Sequence, residues 1–229
     1  MTAAPPPAPA ALPALHALDV GDPPEVWRRL GFTVAQDGTC VVGGVTLRLL
    51  GHDAGEGILG WVLRADEPLP AEVDGIPTLA APADAVAGPA GAHRNAVTRL
   101  DHVVVATPDL DRTLGALRAI GLEVRREREA GTPERPLRQA FLWAGDVLLE
   151  IVGAPGEHGP GPARLWGLVA VTPALEDLPA RTDHAVGSIR DAVQVGRRIT
   201  TVRREAGSTV PLAFMTPHDR STHRETGSG

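Results

Sequence analysis

The sequence predicts an α+β fold of tandem βαβββ modules, and three observations predict it. The stretch from Leu100 to Gly153 reads as a strand, a helix and three strands, in that order. The pattern returns between Leu165 and Pro217, where LWGLVAVTP lies over LDHVVVATP without a gap. It returns again, less closely, before residue 98.

In the clearest copy, LDHVVVAT is a compact run rich in β-branched residues that stops at Thr107-Pro108-Asp109, as a buried strand does. DLDRTLGALRAIG places Leu110, Leu114, Leu117 and Ile120 at helical spacing, with Asp109 and Asp111 at the start and Gly121 after the last turn. LEVRREREA alternates outward charges, AFLWAG is apolar, and VLLEIVG is apolar except for Glu150. In the second copy RRITTVRRE is a strand candidate, and PLAFMTP aligns with VLLEIVG, setting Phe214 opposite Glu150 and Gly167 opposite His102. The N-terminal third offers LHALDV as a strand and PPEVWRRLG as a helix opened by proline. FTV, TCVVGG and VTLRLLG are further strand candidates there, with Arg48 opposite Glu150. ILGWVLRAD starts a fourth unit, with Gly60 aligned to Gly167, whose remainder from Pro68 to about Arg99 is rich in Ala, Pro and Gly and shows no clear strands. The expected organisation is a disordered leader (1–13), degenerate N-terminal modules (14–97), a module pair (98–153 and 163–217) and a disordered tail (218–229).

Composition bounds the function. Net charge is −6 and the 22 basic residues, all Arg, are scattered, so no basic stripe marks a nucleic-acid partner. Cys40 is the only cysteine, which excludes an intramolecular disulfide and a cysteine-based zinc cluster and makes the cytoplasm the expected compartment. The N-terminal stretch has no signal-peptide pattern, and the longest apolar runs are far short of the roughly 20 residues needed to span a bilayer. There is no G-x-S-x-G, phosphate loop, dinucleotide fingerprint or H-E-x-x-H. A small-molecule ligand is the expected partner, and a homodimer is left open.

LDHVVVATPDLDRTLGALRAIGLEV followed by VLLEIVG resembles a module of the vicinal-oxygen-chelate superfamily, which includes glyoxalase, bleomycin-resistance and extradiol dioxygenase proteins. The resemblance is closest over 98–153, less close over 163–217 and least over 14–97. It implies paired modules curled into a cup-shaped, partly closed barrel of the glyoxalase type. It also implies that inward residues on the first and last strands of each module bind one divalent metal: iron, manganese, nickel or zinc. By that resemblance His102 and Glu150 are one ligand pair, with Glu150 or His102 also serving the chemistry. A neutral imidazole and a carboxylate suit such a metal, and each sits alone on an apolar strand. The corresponding pair, Gly167 and Phe214, cannot ligate, so half of the usual site is expected. His16, in the comparable place of the first module, faces Arg48, which repels a cation. Two other readings of the residues stay open: a pocket lined without metal, or a core histidine beside a carboxylate paired with arginine.

SIRDAVQVGRRITTVRRE gathers Arg190, Asp191, Gln194, Arg197 and Arg198 around Gly196. Arg190 with Asp191 is the expected inward pair for a ligand carboxylate or phosphate, and alternation lets only one of Arg197 and Arg198 point inward. Arg125, Arg126 and Arg128 read as an exposed strand with ion pairs and receive no role. Trp143, Trp166 and Phe214 are candidates to line an apolar pocket, and His158 reads as a solvated loop residue. The functional expectation is a protein acting on a small organic molecule, as a metal-dependent lyase, isomerase or dioxygenase; the alternative is a non-catalytic binding protein with a degenerate metal site.

Overall fold

The computed structural model describes residues 13–218, so the leader and tail fall outside the described residues except for Pro13 and His218. Along the chain run β1 (Ala14–Val20), α1 (Pro24–Arg29), β2 (Thr39–Val42), β3 (Val45–Leu49), β4 (Ile58–Arg64), β5 (Glu72–Val73) and β6 (Ile76–Ala81). After them come β7 (Arg99–Ala106), α2 (Leu110–Ala119), β8 (Val124–Thr132), β9 (Arg135–Ala144) and β10 (Val147–Gly153). The last elements are β11 (Arg164–Val171), α3 (Leu178–Arg181), β12 (Arg190–Asp191), β13 (Arg198–Thr201) and β14 (Leu212–Met215). No helix among the described residues is long and apolar enough to cross a membrane.

Local chemistry sets the helices. Pro24 opens α1 with its φ already helical. The Asp109 side chain caps α2 by accepting from the Arg112 backbone N–H at 3.0 Å. Such a cap contributes about 1 kcal/mol, whereas burial of Leu110, Leu114 and Leu117 contributes about 1.5–3 kcal/mol each. The apolar stripe therefore holds α2 in place. Gly121, at φ +88, supplies the left-handed turn just past it.

Two open sheets result, in the order β2-β3-β1-β4-β6-β5 and β12-β13-β14-β11-β7-β10-β9-β8. The architecture is mixed-sheet α+β as expected, with the qualification that neither sheet closes into a barrel. In each half of the second sheet the first strand lies innermost, its parallel neighbour is the last strand, and the remaining two follow outward. Halves of the first sheet follow the same rule with one strand fewer. FTV forms no strand, and the Ala/Pro/Gly-rich stretch does form two, β5 and β6.

A shared irregularity marks the four innermost strands. One residue near each opening has no partner across the ladder: His16 in β1, Leu59 in β4, Asp101 in β7 and Trp166 in β11. Such a bulge re-aims the side chains around it. Gly60 and Gly167 follow the bulges of β4 and β11, where a Cβ would lie 2.9 Å from the Pro77 carbonyl oxygen and 2.6 Å from that of Pro211. Close backbone approach, and not turn geometry, requires glycine at both.

One continuous core joins both sheets to α1 and α2, with Leu18, Trp27, Leu47, Trp61, Val103, Leu114, Leu149 and Phe214 among its members. A carboxylate is sealed into it: Asp22, fully buried, accepts from Trp27 Nε1 at 3.0 Å, Ser208 Oγ at 2.7 Å, and the Thr209 backbone N–H and Oγ1 at 2.8 and 2.6 Å. Those donors satisfy both oxygens, which makes its burial tolerable. The second sheet's other face carries a smaller cluster, Val169, Ala213 and Met215, against which Ala192 and Ile199 pack.

Candidate functional site

That second face holds a cavity of about 220 Å³. Side chains from both halves line it: His102, Glu150, Gln139 and Phe141 from the inner strands, Arg126 and Arg128 from β8, and Arg190, Asp191, Gln194, Ile199 and Met215 from the other half. A larger cleft of about 450 Å³ beside α1 is bordered by Arg29, Asp183, His184, Arg203 and Glu205, but by none of these residues.

At the centre, His102 Nε2 lies 3.4 Å from Glu150 Oε2. Adjacent parallel strands bring them together, since His102 stands across from Leu148 and Glu150 across from Val104. The opposite imidazole nitrogen, Nδ1, meets Asp101 Oδ2 at 3.0 Å. Asp101 is in turn held by Arg197 Nη2 at 2.8 Å, a guanidinium buried except for about 1 % of its side chain. Burial alone would push the Asp101 carboxyl up; the hydrogen bonds from His102 and Arg197, with Arg197's charge, outweigh it and hold the group well below the usual carboxylate range. On the far side Glu150 Oε1 accepts from Gln139 Nε2, and Gln139 Oε1 accepts from Arg128 Nε at 2.6 Å. A chain of polar contacts thus runs Arg197–Asp101–His102–Glu150–Gln139–Arg128. The guanidinium carbons of Arg126 and Arg128 lie 4.8 and 5.3 Å from the Phe141 ring centroid. No carboxylate pairs with Arg126, Arg128 or Arg190 among the described residues.

The sequence-expected residues fare differently. His102, Glu150, Arg190 and Asp191 all border the cavity. Trp143 and Trp166 are about half exposed and do not. Phe214 is fully buried on the opposite face, stacked on Phe32 at 6.0 Å. The alignment was one residue out. Ladder register sets Ala213, not Phe214, at the place of Glu150, and a one-residue slip turns a side chain to the other face. Likewise Ala17, not His16, matches His102, while His16 matches Asp101. Arg48 is tied to Asp19 by two hydrogen bonds. Burial, then the charges of Arg64 and Arg48, lowers the affinity of His16 for a proton. His158 is exposed, its Nδ1 3.2 Å from Asp109 Oδ2. Sequence reasoning missed Asp101, Arg126, Arg128, Gln139 and buried Arg197; the one available signal was the pair of charged side chains spaced two apart at 126 and 128, which face the same way on a strand.

Does the donor set fit a metal? The 3.4 Å spacing of His102 and Glu150 suits two ligands of one ion, and Asp101 supplies the outer partner that ligating imidazoles ordinarily have. The second pair of positions holds Gly167 and Ala213, however, and no group of three or more His, Cys, Asp or Glu among the described residues is placed to hold an ion. Two donors fall short of the three that catalytic sites commonly supply. The residues present do not complete a resident metal centre.

The sequence matches no family model and no curated protein. Solved structures do match in shape. A mutant of 4-hydroxymandelate synthase from Streptomyces coelicolor is 15% identical, with 92% of this chain over 93% of that one at TM-score 0.60. A xylose isomerase-like TIM barrel/4-hydroxyphenylpyruvate dioxygenase fusion protein is 12% identical, with 99% of this chain over 51% of that one at TM-score 0.58, so this chain spans about half of it. Methylmalonyl-CoA epimerase from Mycobacterium tuberculosis is 18% identical over 55% of this chain and 91% of that one, at TM-score 0.42. By the architecture it shares over nearly its whole length, this chain has the vicinal-oxygen-chelate fold that its sequence resembles.

Proposed function

We propose that the chain binds a small organic anion in the cavity of its eight-stranded sheet and moves a proton on it with His102 and Glu150. The observation that carries this reading is convergence: a histidine–carboxylate pair, three arginines without carboxylate partners among the described residues and an apolar wall of Phe141, Ile199 and Met215 share one cavity. At about 220 Å³ it suits a ligand smaller than a drug-sized molecule. Arg126, Arg128 and Arg190 hold the anionic group, since guanidinium forks match carboxylates. The His102–Glu150 pair takes a proton from an atom acidified by that group and returns it to the same or a neighbouring atom. No oxidant or reductant is consumed and no group leaves, so the reaction belongs with isomerisations. On the same reading, 14–97, 98–153 and 163–217 are the structural units, and the single buried cysteine suits a cytoplasmic protein.

A second reading has one specific support, the 3.4 Å spacing: His102 and Glu150 hold a divalent cation whose remaining positions are filled by the substrate's own oxygens.

The test is exchange of substrate hydrogen for deuterium in heavy water, followed by NMR over a panel of 2-oxo and 2-hydroxy carboxylates, with calorimetry of the same compounds. Exchange by the wild type that Glu150→Gln abolishes supports proton transfer. Binding without exchange leaves a binding protein, and neither binding nor exchange sinks the proposal. Added iron, manganese, nickel or zinc decides the second reading: stoichiometric uptake, lost in Glu150→Gln, with exchange dependent on metal would replace the first.

A further inference from the structure

Successive side chains of a regular strand point to opposite faces, so Asp101 and His102 should not meet. They meet because of the bulge. His102 stands opposite Val169 while Leu100 stands opposite Ala170, which leaves Asp101 outside the ladder. Its carboxylate turns beside the following imidazole, Oδ2 to Nδ1 at 3.0 Å. Within β7, Arg99 brings Nη2 to 3.5 Å from Oδ1, but from a side chain nearly half exposed. The close, buried restraint comes from the other half of the sheet.

Arg197 sits between the turn at Gly196 and β13, and each of its guanidine nitrogens has a separate partner. Nη2 donates to Asp101 Oδ1 at 2.8 Å, Nε to the Thr216 carbonyl at 2.7 Å and Nη1 to Gln194 Oε1 at 2.6 Å. A planar fork held at three points cannot rotate, so Asp101 is fixed by one oxygen and offers only the other to the ring. That oxygen accepts. A carboxylate kept ionised can take a hydrogen bond from Nδ1–H but cannot give one.

We propose that Asp101, locked by Arg197, is a positioning residue that keeps the proton of neutral His102 on Nδ1 and presents the Nε2 lone pair to the cavity. Nε2 is the nitrogen 3.4 Å from Glu150 Oε2, so whatever proton the two share passes through that atom. In the other tautomer Nε2 would already carry the hydrogen and could take none from a ligand. Purpose here rests on the proton-transfer reading; the tautomer itself does not.

The test needs no ligand. Long-range ¹⁵N–¹H spectra of labelled full-length protein, at a pH where the ring is neutral, report which nitrogen carries hydrogen, and His102→Gln identifies the signals. The expected wild-type pattern is a protonated-type Nδ1 and an unprotonated-type Nε2. In Asp101→Asn the amide oxygen stays with Arg197, its NH₂ turns to the ring, and the pattern inverts. Arg197→Lys, whose three donors share one nitrogen and cannot reach acceptors spread around a planar fork, should give a mixture of both forms. A wild-type His102 with hydrogen on Nε2, or variants with the wild-type pattern, would overturn the proposal. If Asp101→Asn does not fold, the wild type and Arg197→Lys decide. Failure of deuterium exchange with the expected tautomer present would count against the function alone.

Discussion

Gly167 and Pro211 approach so closely that a Cβ on the glycine would stand 2.6 Å from the proline carbonyl oxygen, inside any normal contact. Position 167 is the counterpart of His102 in the other half of the sheet, so the backbone of the neighbouring segment has closed the place where a second imidazole would stand. Gly167→Ala should lose about 1–3 kcal/mol through overpacking, read as a lower urea midpoint with an unchanged slope. Gly167→His should lose at least as much and create no metal affinity. A stable histidine variant that binds zinc would show that the segment can move aside.

Phe214→Ala should cost about 3–5 kcal/mol, the usual price of an emptied core site, because the ring is fully buried on Phe32. Affinity for the organic anion, corrected for the folded fraction, should not change. A selective loss of affinity would put the ring in the cavity.

Arg126→Ala and Arg190→Ala should each weaken anion binding about two- to fivefold, the scale of an exposed charge contact, and the loss should shrink as salt is raised. Arg125→Ala serves as the control, since Arg125 does not border the cavity. Equal losses in all three would mean only a general charge effect, which isothermal titration at two ionic strengths would reveal.

Acid should destabilise the protein in two stages. His93 is buried, its Nδ1 accepting from the Thr33 backbone N–H and its Nε2 bonded to the Val41 carbonyl, each at 3.0 Å. Burial lowers its proton affinity below the ordinary value of 6.5, against the opposing pull of the Val41 carbonyl. The unfolded chain then binds the proton more readily, so His93's contribution is complete above about pH 6.5 and is lost as pH falls towards the lowered native value. Asp101, also lowered, contributes above the ordinary carboxylate range and loses that contribution in stronger acid. Urea unfolding across pH should show both limbs. His93→Gln should shrink the first limb, leaving the part that His16 contributes by the same sign, and an unchanged limb in that variant would assign it elsewhere.

Alternation made half of this site legible. Glu150 stands alone in an apolar strand, and a lone carboxylate there has to face either a partner or a cavity. β14 gave no such mark: Leu212, Ala213, Phe214 and Met215 are all apolar and all buried, so nothing in their identities says which face is which, and the alignment slipped by one. Asp101 was hidden for a different reason. A bulge breaks the period of two on which face assignment depends, so the residue beside His102 reads as pointing away from it. Arg197 owes its burial to a partner 96 positions earlier, a relation that local pattern cannot express. FTV has the composition of a strand and forms none, because composition does not supply a neighbour to pair with.

The sealed carboxylate of Asp22 imposes an order on the making of the molecule. Its partner Trp27 leaves the ribosome almost with it, but Ser208 and Thr209 follow 186 and 187 residues later. Until then the segment between β1 and α1 holds a carboxyl group that its own neighbours only partly satisfy, and an early core closed around it would be strained. The N-terminal sheet should therefore stay open on the nascent chain and set only when the 208–209 turn arrives. Release of a chain stopped at Gly207 should yield a protease-sensitive product, although every strand of the first sheet is present in it.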